Sequence, residues 1–160
     1  MTVGGFGGPY TSLTVIDGQA ALLSGGYGAV VLDHALWMGG FGCGLSPETT
    51  VTDPNAQQVN LAYGGVLGGI TIDGDKTFNY SLYALLGIGW IWADGVEANG
   101  RLMTAFEPGV DVSLTFFKFM RLSAGLRYRA VSSANREGDM EFDKRFSGPA
   151  LSLAVTFGAH

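Results

Sequence analysis

Apolar and polar residues alternate along most of this chain, and the alternation has a period of two. Between Thr77 and Ala93 the even positions are Phe78, Tyr80, Leu82, Ala84, Leu86, Ile88, Trp90 and Trp92. The odd positions are Asn79, Ser81, Tyr83, Leu85, Gly87, Gly89 and Ile91, which gives one large apolar face and one mostly small or polar face. That is the signature of a strand, not of a helix. The pattern returns in Val110, Val112, Leu114 and Phe116 against Asp111, Ser113 and Thr115. It returns again in Leu122, Ala124, Leu126, Tyr128 and Ala130 against Arg121, Ser123, Gly125, Arg127 and Arg129. Near the C-terminus Leu151, Leu153, Val155 and Phe157 oppose Ala150, Ser152, Ala154 and Thr156. A spanning helix would need about 20 mostly apolar residues, and the best uncharged window, residues 77–93, is too short and has the wrong period.

Turn residues divide the chain into eight predicted strands, over 5–16, 20–32, 35–46, 58–72, 77–93, 102–117, 121–132 and 147–158. Asp17-Gly18-Gln19 and Asp33-His34 are tight connections. Residues 46–56, with Pro47 and Pro54, form a long polar one. Residues 73–76 are short, 94–100 longer, 118–120 short, and 133–145 longest and most charged. After the first, the connections alternate long and short, as is expected of outer-membrane barrels. Nothing divides the chain, so residues 1–160 are expected to form a single β-barrel domain.

Charge sharpens the picture. Of 23 charged residues, 9 basic and 14 acidic, only Glu107, Asp111, Arg121, Arg127 and Arg129 fall inside predicted strands. All five lie on the small, polar face. A soluble barrel would carry Lys and Glu on its outward faces; here the large apolar faces are uncharged. The spacing also fits a bilayer. Tyr80 to Trp90 covers ten strand steps, about 33 Å, or about 25 Å when tilted by roughly 40°. Phe78 and Tyr80 at one end and Trp90 and Trp92 at the other then form a lipid-facing aromatic girdle.

Composition excludes several alternatives. Glycine accounts for 26 of 160 residues, more than twice the usual share of about 7%, but without the three-residue period of collagen. Aromatics at 12% argue against disorder. A net charge of -5 offers no basic surface for nucleic acid, and one cysteine cannot make a disulfide framework. Cys43, in FGCGL, reads as a small packing residue, buried or lipid-facing, and not as a reactive thiol.

Taken together, the strand pattern resembles the small eight-stranded outer-membrane β-barrels of Gram-negative bacteria, of the OmpA membrane domain or OmpX size class. FEPGVDVSLTFFKFMRLSAGLRYRAVSS (106–133) is similar to the penultimate hairpin of many such proteins. The run PALSLAVTF, with Leu151, Leu153, Val155 and Phe157 at alternate positions, resembles their insertion signal, although Gly158-Ala159-His160 follow the aromatic. The resemblance implies the bacterial outer membrane, a monomer surrounded by lipid or detergent, and insertion by the outer-membrane assembly machinery. MTVGGFGGPY has no basic n-region or apolar h-region, so the chain is expected to start near the mature N-terminus, with Met1 added or retained.

Chemistry is sparse. GGFGGP (4–9), GGYGAV (25–30) and GGFGCG (39–44) lack the spacing and following helix of a nucleotide loop. They suit the bending of a narrow barrel wall instead. Some outer-membrane barrels modify lipids with a Ser-His-acid site near the outer rim, but His34 is placed in a short turn at the other end and His160 is terminal. The acidic stretch EGDMEFD (137–143) lacks calcium-loop spacing and reads as a solvated loop. Met140 and Phe142 are the residues through which that loop would touch a partner or the outer leaflet. No metal, cofactor or catalytic set is expected. Glu107, Asp111, Arg121, Arg127 and Arg129 are expected to form an ion-pair network that fills the lumen.

A three-residue turn at Lys118-Phe119-Met120 would set Asp111 opposite Arg127 and Gly109 opposite Arg129. Asp111–Arg127 would then be an ion pair, Glu107 would lie near Arg129, and Gly109 and Gly125 would make room for the guanidinium groups. The reading is therefore a structural or surface-contact barrel without catalysis. Its alternatives are a narrow conduit or binding barrel for small apolar molecules or ions, and a lipid-modifying enzyme.

Overall fold

The computed structural model describes residues 3–16, 19–45, 59–72, 77–93, 101–133, 144 and 147–159. The chain forms eight antiparallel strands: β1 (Val3–Ile16), β2 (Gln19–Leu32), β3 (Leu36–Leu45), β4 (Val59–Ile72), β5 (Phe78–Ala93), β6 (Arg101–Phe117), β7 (Met120–Ser133) and β8 (Gly148–Ala159). Each pairs with its neighbour in sequence, and β8 pairs back with β1 to close the barrel. Closure leaves no edge strand with unpaired backbone groups, which is the condition for a sheet to sit in hydrocarbon.

The registers set the barrel's girth. The paired residues Gly4, Val31, Trp37, Gly69, Tyr83, Gly109, Arg127 and Ala150 lead once around the wall. The circuit returns to β1 at Thr14, ten residues above its start. With standard strand spacings this stagger tilts the strands by roughly 40°, and eight strands then enclose a bore just wide enough for side chains.

Face assignment follows the period-two pattern. On β5, Phe78, Tyr80, Leu82, Leu86, Ile88 and Trp90 are exposed, while Asn79, Ser81, Leu85 and Ile91 are buried. The side chain of Trp92 lies outside the described residues. Leu151, Leu153 and Phe157 are exposed and Val155 half-buried on β8, so the C-terminal alternation faces outward. Leu23, Leu61 and Met103 are the most completely buried apolar side chains. They sit near the strand ends next to connections 17–18, 46–58 and 94–100, so an apolar layer lines the lumen toward that end.

Two turns differ from the sequence reading. The β2–β3 connection has three residues, since Leu32 pairs with Leu36. Asp33 (φ 50) and His34 (φ 59) are left-handed there, and the Leu32 carbonyl accepts from the Ala35 N–H at 3.2 Å. Asp and His are among the side chains that tolerate this region best.

The β6–β7 turn has two residues, not three: Phe117 pairs with Met120, and Thr115 pairs with Arg121, leaving Phe116 as a bulge. A two-residue turn alone would shift the pairing by one residue and turn one strand's polar face outward. The bulge adds a second residue of shift and restores the parity. The net slip of two residues keeps the side chains up to Thr115 on their expected faces but changes their partners, while Phe117, beyond the bulge and expected to face inward opposite Arg121, is turned outward.

Candidate functional site

The corrected register rearranges the charges in the lumen. Asp111 lies opposite Gly125, and Arg127 opposite Gly109, so the expected Asp111–Arg127 pairing is replaced. Phe106 pairs with Ala130 and Gly109 with Arg127, which brackets Glu107 and Arg129 between them. Pro108, without an N–H, sits inside the interval where no ladder pair forms. Glu107 therefore becomes the hub.

The Arg129 Nε donates to Glu107 Oε1 at 2.7 Å, and the Tyr63 hydroxyl donates to the same oxygen. The Arg127 Nη1 lies 3.6 Å from Glu107 Oε2. Glu107 and Arg129 are each only 1% exposed. Burial this deep demands pairing, because an isolated charge loses most of its solvation. The aromatic rings supplement the single carboxylate: Arg127 lies 4.9 Å from the Tyr10 ring centroid and Arg129 lies 5.4 Å from that of Tyr63.

Asp111 borders this hub, close enough to Arg127 to feel its charge, and Arg121 lies further along the lumen. Asp111 accepts from the Tyr83 hydroxyl at 2.9 Å, and the Arg121 Nε donates to Thr115 Oγ1 at 3.3 Å. Around them runs a hydroxyl-lined wall: Ser113 and Ser123 are 2.8 Å apart, and Trp37 Nε1 donates to Thr71 Oγ1 at 3.1 Å. A cavity of about 50 Å³ remains among Tyr27, Trp37, Tyr83, Asp111, Arg121 and Arg127. At about 10–15 Å³ per water, it holds a handful of waters.

The glycines have the expected purpose but different beneficiaries. A Cβ on Gly109 would meet Arg127 Cγ at 2.7 Å, and one on Gly125 would strike the Asp111 carboxylate. Gly125→Ala should therefore cost about 1–3 kcal/mol by overpacking, read as a lower midpoint in urea titrations of the refolded protein. Adding Asp111→Ala should recover part of that loss.

Tyr10, Tyr63 and Tyr83 were not singled out by the sequence reading, although each occupies a lumen-facing position. The available signal is that a Tyr on a lumen face needs a partner for its hydroxyl. Cys43 also faces the lumen, half-buried and packed against the core. Among the described residues, no three His, Cys, Asp or Glu side chains gather as a metal site. The 137–143 stretch, with Met140 and Phe142, lies outside the described residues.

No family model and no curated protein matches the chain. Solved structures do. Neisserial surface protein A (NspA) superposes with a TM-score of 0.67 at 14% identity, over 97% of this chain and 96% of that one. The attachment invasion locus protein Ail of Yersinia pestis gives 0.57 at 12% identity, over 98% and 97%. Ail in complex with the heparin analogue sucrose octasulfate gives 0.58 at 10%, over the same shares. At these identities the likeness shows the fold, which is that of the small eight-stranded outer-membrane barrels.

Proposed function

We propose that the protein is a monomeric outer-membrane barrel of a Gram-negative bacterium that serves as a structural or surface-contact element, without catalysis and with a plugged lumen. The observation that carries this reading is the lumen itself. The Glu107–Arg127–Arg129–Tyr63 cluster crosses it, and the apolar layer of Leu23, Leu61 and Met103 lines it beyond. Ligand pockets usually measure about 300–1,000 Å³, far above the roughly 50 Å³ left here, which argues against a binding barrel. The described histidine, His34, is exposed in a turn, away from the lumen serines and acids that a triad would need. NspA and Ail, named for the cell surface and for attachment, agree with a contact role.

Planar-bilayer recording tests the reading. The refolded protein should give no discrete, reproducible conductance steps. Steps that recur between preparations and change size in Glu107→Gln would overturn the plugged lumen and favour a conduit.

A further inference from the structure

The bulge at Phe116 has an effect outside the barrel. Phe117 pairs with Met120, and Met120 pairs with Phe157, so all three share the outward face. Phe116 is exposed as well, which places two consecutive phenylalanines on the outside of β6. At the turn itself Phe119 stacks on Phe117, with ring centroids 5.6 Å apart and planes 12° from parallel. These two rings remain 58% and 59% exposed. Lys118 is exposed between them, and the Gly158 N–H holds the turn through the Phe119 carbonyl at 3.0 Å.

The other described turn at this end is chemically opposite: Asp33-His34-Ala35 is exposed, and the strands beside it present Leu36, Met38, Ile70 and Ile72 with no aromatic among them. We infer that the β6–β7 turn is a membrane anchor whose Phe117–Phe119 stack sits in the headgroup–acyl boundary, tilting the barrel so that the Asp33–His34 turn stands in water. The occupant is the phospholipid interface. Phenylalanine rings are favoured at the headgroup–acyl boundary, and a lysine there reaches the phosphates. The patch is also continuous with the apolar wall through Phe116 and, by way of Met120, Phe157. This inference rests on the membrane reading proposed above.

Site-directed spin labelling separates the two. In a Cys43→Ala background, single labels go at Phe119→Cys, His34→Cys and Leu86→Cys, with the protein refolded into phosphatidylcholine–phosphatidylglycerol vesicles. Collision with oxygen relative to a water-soluble nickel chelate should be severalfold higher at 119 than at 34, and higher again at 86. A label at 119 as wet as that at 34, with 86 still in lipid, overturns the anchor alone. It would mean the turn meets water or a protein absent from the vesicles. A wet label at 86 overturns the membrane reading itself. If Phe119→Cys fails to refold, Phe117→Cys carries the same expectation.

Discussion

Glu107→Gln should destabilise the refolded barrel by about 3–5 kcal/mol, the cost of leaving a buried ion without its partner. The substitution keeps the shape of the side chain and removes only its charge. Arg127 and Arg129, both buried, would then lose the carboxylate they share, and Asp111, which accepts from Tyr83, is near Arg127 alone. Urea titration of unfolding in detergent or thin vesicles reads the loss. Combining Glu107→Gln with Arg129→Met should recover much of it, because removing both partners is far cheaper than removing one. Asp111→Asn is the contrast. Its carboxylate accepts from a neutral hydroxyl and only borders Arg127, so the substitution should cost about 1–2 kcal/mol, less than the loss at Glu107. Equal losses at Glu107 and Asp111 would mean that the hub has been assigned to the wrong acid.

Leu86→Arg should cost about 2–4 kcal/mol in a bilayer, the range for a cation on the lipid face near the midplane. Leu86 is 57% exposed, halfway along β5, between Val66 on β4 and Phe106 on β6 in a row that is apolar throughout. In water such exposure would favour the arginine; in hydrocarbon the guanidinium loses its solvation. Leu86→Phe serves as the control and should change stability little. If the two variants titrate alike in vesicles, the outer wall does not face lipid.

The alternation of side chains is local, and so it was readable without any coordinates. A period of two assigns each strand residue to one of two faces, whatever strand lies alongside. That is why the eight strands, the uncharged outer wall and the inward placement of Glu107, Asp111, Arg121, Arg127 and Arg129 were legible in the chain. Strand ends were read to within two residues, as at Val3 in place of position 5 and Met120 in place of 121.

Partnership is not local. A slip of two residues between β6 and β7 leaves every face up to the bulge unchanged, so the hydrophobic pattern cannot detect it. The shorter turn and the bulge at Phe116 chose the register, and they moved Asp111 from Arg127 to Gly125. Tyr63 reaches Glu107 from β4, two strands away across the lumen. No spacing along the chain encodes that contact, because it exists only once eight strands staggered by ten residues have closed on themselves. Local alternation was enough to say which strand residues face outward and which face inward. Tertiary closure decided which of the inward ones meet, because face is a property of one strand and contact is a property of the whole barrel.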